Sequence, residues 1–219
     1  GQDNLYYCHF FHKKQPDLNW FNPKLREKIY EMMNWWLVDM GIAGFRVDAI
    51  MCIGKDPTYP MYTPDSVGDG MCSCGVMNSQ NVDVALNFLR EMNSRTFHPN
   101  DKFSVGEVFG ITKDNVKDFI GDDGVFSSIF DFSAREALTK HYCFYGFEKL
   151  SVAQYRKVIF EAQKTAGDIG FLAPVIENHD EPRGVSTYLP LMWQNAKGAK
   201  ALGTVNLTLK GVPFVFQGQ

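Results

Sequence analysis

The feature that most limits the fold of this chain is an alternation of helix patterns with short apolar runs. In the clearest helix pattern, residues 23–40, apolar side chains recur at steps of three and four residues. Asn22 suits the cap of this helix and Pro23 its first turn, and an apolar run over residues 42–47 follows at once. Helices that lead into short buried strands in this way predict parallel strands joined by right-handed crossovers.

The same unit recurs along the rest of the chain. The patterns predict helices over residues 81–96, 112–120 and 195–210, two more beginning at the capping-box patterns of Ser133 and Ser151, and strands over residues 103–106, 125–132, 171–176 and 212–216. An open doubly wound sheet and a (β/α)8 barrel are both built from such units, and five strands by themselves are compatible with either.

Composition excludes several classes of protein. The 219 residues include 22 basic and 25 acidic side chains, for a net charge of −3, which argues against a nucleic-acid partner. No apolar stretch approaches the ~18 residues of a membrane helix, so no membrane partner is predicted, and no signal segment opens the chain. The 5 cysteines have irregular spacing, which implies no disulfide framework and favours reduced thiols in a cytoplasmic protein.

Residues 54–78 form an irregular stretch that is rich in Gly, Pro, Asp and Cys. A loop of that length after a strand is usually functional or mobile, and the alternative is a surface insertion without a role. Cys72 and Cys74 lie within this stretch. Because a zinc site needs more ligands than these two thiols supply, plain thiols are the prediction for both.

Ionisable residues follow three of the predicted strands. Arg46 and Asp48 end the first one, and alternation along a strand directs them to the same face, where the guanidinium would keep the carboxylate ionised, as a nucleophile requires. Glu107 ends the second among glycine and apolar neighbours, where desolvation favours the protonated form that a general acid needs. His179 and Asp180 follow the fourth.

In (β/α)8 barrels the active site lies at the carboxyl ends of the strands, so these acidic groups would converge on one pocket. Two carboxylates in unlike environments suit the cleavage of a glycosidic bond, and an aromatic content of 14% offers flat rings that stack on sugars. Simpler interpretations stay open: a salt bridge, a solvated loop residue, a hydrogen-bonded turn, or a metal site formed by Asp48, Glu107, His179 and Asp180.

Taken together, the motifs resemble those of the α-amylase family of glycoside hydrolases. Residues 44–48, 106–107 and 178–180 are similar to three of its signature regions, in the expected order. The segment Gln15–Asn19 resembles the motif that marks the oligo-1,6-glucosidase branch, and residues 214–219 resemble the end of the last barrel strand. The resemblance covers essentially the whole chain.

The resemblance implies a role for each candidate residue. Asp48 would be the nucleophile, Glu107 the general acid and base, and Asp180 a third carboxylate that binds sugar hydroxyls. Arg46 would support Asp48, and His179 would hydrogen-bond the reacting sugar. The implied activity is that of a retaining α-glucosidase, which hydrolyses α-1,4 or α-1,6 bonds of short gluco-oligosaccharides through a covalent glucosyl-enzyme intermediate.

The family's first three barrel strands have no counterpart in this chain. The resemblance therefore implies a (β/α)8 TIM-barrel of which only strands four to eight are present, with residues 1–20 as the tail of an inserted small domain and 21–219 as the second part of the barrel. The calcium loop sometimes found near the family's first strand would be absent, so no metal and no cofactor are predicted. An open half-barrel exposes apolar faces and edges, which predicts self-association.

Several alternatives stay open at this point. Ala49 leans toward α-1,4 substrates without deciding the linkage, and the balance of hydrolysis against transglycosylation depends on water access. The chain could be inactive without the rest of the barrel, or belong to a glycosidase-like scaffold without catalysis. Such scaffolds typically lack the acidic set, whereas Asp48, Glu107 and Asp180 are all present. A metal-dependent barrel hydrolase is a third class.

Overall fold

The computed structural model describes residues 6–60, 62, 64, 77, 79–138 and 149–219. It divides into two compact units, Gly1–Ser104 and Val105–Gln219. The main elements are α1 Pro23–Asn34, β1 Gly44–Val47, α2 Val82–Arg95, β2 Phe103–Gly106, α3 Val116–Phe119, β3 Ser128–Asp131, α4 Ser133–Leu138, α5 Val152–Ala166, β4 Ala173–Pro174, α6 Gly184–Tyr188 and α7 Ala196–Thr208. Most of the irregular stretch 54–78, including Cys72 and Cys74, lies outside the described residues.

In the first unit, α1 begins and ends as its sequence predicts. The side chain of Asn22 accepts a hydrogen bond from the backbone N of Lys24, and Pro23 occupies the first turn. The helix continues as a π-helical turn over Trp35–Asp39, and Gly41 then takes a φ of 69°, which a residue with a side chain rarely adopts. The buried residues of α1 and the π-helical turn are Tyr30, Met33 and Leu37.

The strand β1 lies beside the start of β2. The backbone N of Phe103 donates to the carbonyl of Ala43 over 3.1 Å. A Cβ atom added at Gly44 would lie only 1.8 Å from the carbonyl oxygen of Phe103, so glycine allows this close approach. Helix α2 supplies a buried face of Ala85, Leu86, Leu89 and Met92.

The second unit contains the parallel pairing that the alternation of elements predicts. The end of β2 pairs with β3 through Val105 with Ser128, and β3 pairs with β4 through Phe130 with Ala173. Two further parallel bridges join the neighbourhood of β4 to the last segment of the chain, at Leu172 with Gly211 and at Val175 with Phe214. Strands adjacent in sequence are thus adjacent in space.

The last two predicted strands are much shorter than their apolar runs. The run 171–176 forms a strand only at Ala173–Pro174, and the run 212–216 contributes one isolated bridge at Phe214. Pro174 and Pro213 explain the difference because proline has no backbone N–H to donate to a neighbouring strand. None of the helices in the described ranges is long and apolar enough to cross a membrane.

Candidate active site

The first candidate residues lie at the end of β1. Nη1 of Arg46 and Oδ1 of Asp48 form an ion pair, as expected for residues two positions apart on a strand. The side chains are 31% and 68% exposed, so the carboxylate is open to solvent.

The backbone turns sharply directly after Asp48. Ala49 has a φ of 44° and a ψ of 40°, the left-handed conformation that residues with a Cβ rarely adopt. A 3₁₀ helix over Ile50–Ile53 follows. Backbone strain of this kind costs on the order of 1 kcal/mol and clusters at functional sites, so it marks the end of β1 independently of the motif.

The Gln15–Asn19 segment has a structural role in the first unit. Oδ2 of Asp17 lies 3.2 Å from Nζ of Lys55, and the two side chains are only 15% and 10% exposed. Asp17 also accepts a hydrogen bond from the backbone N of Phe10, whose ring lies under the Lys55 ammonium. The sequence pointed to this motif through a resemblance, but nothing in it indicated Lys55 as the partner.

In the second unit, Glu107 is the first residue after β2. It is half-buried between Gly106 and the buried Val108. A Cβ atom at Gly106 would lie 2.7 Å from the ring of Phe126, so this position has no room for a side chain. The backbone N of Gly110 donates to Oε1 of Glu136 over 2.6 Å, which links the segment after Glu107 to α4.

The third motif forms a compact turn. Oδ1 of Asn178 accepts from the backbone N of Asp180 over 2.8 Å. Nε2 of His179 lies 3.2 Å from Oδ2 of Asp180, and the two side chains are 62% and 64% exposed. Both candidate residues are therefore accessible to a ligand.

The glutamates on either side of this turn are held by arginines. Glu177 is buried, and its Oε1 lies 2.6 Å from Nη1 of Arg183, while its Oε2 accepts from the backbone N of Gly184. Glu181 pairs with Arg135 of α4, with 2.5 Å between Oε2 and Nε. Sequence reasoning left the role of Arg183 open and missed Arg135, because the latter lies far from Glu181 in the chain.

Two further acidic residues of this unit have unusual environments. Burial raises the pKa of Asp131, although hydrogen bonds from the hydroxyl and backbone N of Ser133 oppose the shift, and its Oδ2 has no hydrogen-bond partner among the described residues. Desolvation also raises the pKa of Glu136. Its side chain nevertheless remains exposed on one side, so solvent weakens this effect.

A cavity of about 600 Å³ lies between β3 and helices α4 and α5. Its described lining includes Asp131 and Glu136 but not Glu107, His179 or Asp180. The described lining does include Val108 and Gly110, which follow Glu107 in the chain. No group of three or more His, Cys, Asp or Glu side chains suited to a metal ion occurs in the described part of the chain.

The structure thus pairs Arg46 with Asp48, and His179 with Asp180. Asp48 belongs to the first unit, while Glu107 and Asp180 belong to the second. The convergence of these three carboxylates on one pocket stays a prediction.

Comparison with known proteins gives matches over nearly the whole chain. Residues 1–219 match the family described as Alpha amylase, catalytic domain. Probable oligo-1,6-glucosidase 3 of Bacillus subtilis (strain 168) is 37% identical over 219 residues, which are 98% of this chain and 38% of that protein. Glucan 1,6-alpha-glucosidase of Streptococcus pneumoniae serotype 4 is 36% identical over 222 residues, 98% of this chain and 37% of that protein.

Solved structures give the same pattern. A trehalulose synthase mutant in complex with Tris matches with a TM-score of 0.84 and 34% identity, over 97% of this chain and 38% of that one. Isomaltulose synthase from Klebsiella sp. LX3 matches with a TM-score of 0.84 and 32% identity, over 97% of this chain and 38% of that one. The chain therefore spans less than half the length of the relatives that it matches.

Proposed function

The chain belongs to the alpha-amylase family of catalytic domains, and on that premise we propose that it carries the acidic residues of a retaining α-glucosidase. Its predicted fold class, part of a (β/α)8 barrel, is confirmed by the structural matches. The observation that carries the functional proposal is that Asp48 and Glu107 are each the first residue after a strand, β1 and β2. The carboxyl ends of strands are where (β/α)8 enzymes have their catalytic residues.

In the proposed reaction, a carboxylate oxygen of Asp48 attacks the anomeric carbon of a glucosyl residue. The bond to the leaving oxygen breaks while Glu107 gives that oxygen its proton, so the intermediate is a glucosyl ester of Asp48. Glu107, now ionised, then takes a proton from water as that water attacks the anomeric carbon. This second step frees Asp48 and releases glucose with its configuration retained.

The other candidate residues have supporting roles in this proposal. Arg46 contacts Asp48 and favours its ionised form, which the attack requires. Asp180 and His179 are exposed side by side and offer a carboxylate and an imidazole to sugar hydroxyls. Phe109 is 57% exposed and stacks on Phe132 with 4.7 Å between ring centroids, which adds a flat apolar surface in the same unit as Glu107.

The proposed substrates are short gluco-oligosaccharides with α-1,6 or α-1,4 bonds. The α-1,6 linkage is supported by the names of the relatives, oligo-1,6-glucosidase and glucan 1,6-alpha-glucosidase. The α-1,4 linkage rests on Ala49 next to the proposed nucleophile.

A second candidate is transfer of the glucosyl group within a sugar instead of to water, because solved structures similar to this chain include trehalulose and isomaltulose synthases.

The test uses the intact protein with maltose, isomaltose and sucrose. Asp48→Asn should reduce glucose release by at least about 10⁴-fold, as expected when a nucleophile is removed, whereas the exposed Asp39→Asn should leave it unchanged. NMR of the first product should show α-glucose. Glucose release retained by Asp48→Asn would overturn the proposal, and isomerised sucrose would favour the second candidate. Wild-type protein that turns over none of these sugars would favour the scaffold without catalysis.

Self-association and a cytoplasmic location stay predictions. Leu191, Met192 and Trp193 are 83%, 76% and 51% exposed, which supports an apolar contact surface in the second unit. A monodisperse monomer in light scattering would contradict self-association.

A further inference from the structure

Helix α4 contacts two segments that carry proposed catalytic carboxylates. Oε1 of its Glu136 accepts a hydrogen bond of 2.6 Å from the backbone N of Gly110, three residues after Glu107. Nε of its Arg135 lies 2.5 Å from Oε2 of Glu181, the residue after Asp180. Two adjacent residues of one short helix thus hold two separate acidic segments of the second unit.

The two contacts differ in their exposure to solvent. The side chains of Arg135 and Glu181 are 12% and 20% exposed, so this ion pair is largely desolvated. Glu136 is exposed on one side, although its hydrogen bond with Gly110 has a charged acceptor. We therefore expect the contact at Arg135 to restrain its segment more strongly than the contact at Glu136.

The helix is itself firmly anchored. Oδ1 of Asp131 accepts from the backbone N of Ser133 over 3.1 Å, at the first turn of α4. Ala134 and Leu138 belong to a buried apolar cluster that includes Ile159 and Tyr188. A helix held at its start and along its apolar face can transmit its position to the segments that it contacts.

The Asp180 turn is also fixed on its other side. Glu177 pairs with Arg183, whose Nη1 additionally donates to the carbonyl of Gln217 over 3.0 Å. The turn is therefore restrained at Glu177 and at Glu181, and only the restraint at Glu181 leads back to α4.

We propose that Arg135 and Glu136 are positioning residues, through which α4 sets the Asp180 turn and the segment after Glu107 relative to each other. This inference rests on the proposed function, in which Glu107 is the general acid and Asp180 binds the sugar. Each residue acts on a different step of binding or bond cleavage, so their loss has different kinetic consequences. Such a difference would not follow from a general loss of stability.

Two substrates with different leaving groups distinguish the effect of Glu136 from that of Arg135. A dinitrophenolate departs without protonation, whereas the sugar leaving group of maltose needs a proton from Glu107. Glu136→Met should therefore lower kcat/KM about tenfold for maltose and much less for 2,4-dinitrophenyl α-glucoside. Arg135→Met should lower kcat/KM for both substrates alike, by about tenfold to a hundredfold, because both contain the glucosyl group that Asp180 binds.

The experiment measures kcat/KM of the intact protein and includes conservative and control variants. Glu136→Gln keeps an acceptor for Gly110 and should restore the maltose rate. Lys164→Met removes the exposed pair with Glu161 on α5, which has a 3.0 Å separation, and should change neither rate. If Arg135→Met does not fold, Glu181→Gln removes the same ion pair and should give the same uniform loss.

The outcomes distinguish this inference from the proposed function. If Asp48→Asn is inactive while Arg135→Met and Glu136→Met behave like Lys164→Met, only the positioning role is overturned. An equal loss on both substrates for Glu136→Met would also overturn its role toward Glu107. If Asp48→Asn retains activity, the proposed function fails and this inference fails with it.

Discussion

The ion pair at the end of β1 differs from the ion pairs around the Asp180 turn in its exposure to solvent and in how its partners are separated along the chain. Asp48 is 68% exposed, and its partner Arg46 lies two residues away on the same strand. Glu177 is 3% exposed, and its partner Arg183 lies across the turn, while Glu181 is paired with Arg135 from a different helix. The carboxylate of Asp48 is thus paired at the protein surface. Around Asp180, by contrast, the paired carboxylates are the less exposed Glu177 and Glu181, which restrain the turn that carries Asp180.

The difference has an energetic consequence. An exposed ion pair contributes about 0–1 kcal/mol to stability, because water solvates the separated charges nearly as well. Removing one partner of a buried pair costs about 3–5 kcal/mol, because the remaining charge stays desolvated. Loss of Arg46 should therefore affect chemistry more than folding, and loss of Arg183 should affect folding.

The largest expected effect on stability is at Glu177, which is 3% exposed, although its partner Arg183 is 49% exposed. Arg183→Met should lower the free energy of unfolding by about 2–3 kcal/mol, because the buried Glu177 carboxylate loses its counter-charge and keeps its backbone partner, while solvent at the half-exposed guanidinium reduces the loss. Urea unfolding would measure the loss, with Lys164→Met as an exposed-pair control that changes by less than about 0.5 kcal/mol. Equal effects in the two variants would remove the distinction between buried and exposed pairs.

The pair formed by Lys55 and Asp17 tests whether the contrast belongs to the units or to burial. Both side chains are largely buried although they lie in the first unit. Lys55→Met should lower the free energy of unfolding by about 2 kcal/mol, because the largely buried Asp17 carboxylate loses its counter-charge and keeps its hydrogen bond from the backbone N of Phe10. A negligible loss in urea unfolding would mean that burial alone does not explain the effect of Arg183.

Arg46→Met should lower activity while changing stability little. The free energy of unfolding should change by less than about 1 kcal/mol, because the pair is solvated. The rate of glucose release should fall about tenfold or more, because a guanidinium no longer stabilises the ionised nucleophile. Measuring kcat/KM and urea unfolding on the same variant separates the effect on activity from the effect on stability. A large loss of stability with unchanged kcat/KM would contradict the proposed role of Arg46.

The smallest effect concerns Asp131. Burial raises the pKa of Asp131 above its ordinary value of 3.8 in the folded protein, so the folded state binds its proton more tightly than the unfolded state. The stability from this group is present below pH 3.8 and is lost as the pH rises through the raised pKa. Asp131→Asn should lack this decline. The free energy of unfolding of both proteins can be measured with urea from pH 3 to 7, and parallel pH dependences of the wild type and the variant would contradict the prediction.

The sequence predicted most of the local structure, meaning the helices, their caps and the order of the elements. The alternation of elements, the Asn22 cap of α1 and the capping box at Ser151 are all present. The helix beginning at Ser133 is also present, and the side chain of Asp131 accepts a hydrogen bond from the backbone N of Ser133. The last strands are shorter than predicted because Pro174 and Pro213 cannot donate to a ladder.

By itself, the sequence determined the alternation of helices with strands and the carboxylates that follow the strands, because helix periodicity, strand alternation and a partner two residues away are properties of neighbouring positions. The choice of a barrel over an open sheet came from the resemblance to the α-amylase family. The contact between Arg135 and Glu181 spans 46 positions in the chain, and that between Gly110 and Glu136 spans 26. Only the tertiary structure could identify these partners, because burial and distance between separate elements depend on how the chain packs. The residues proposed for catalysis are thus visible in the sequence, while those proposed to position them are visible only in the fold.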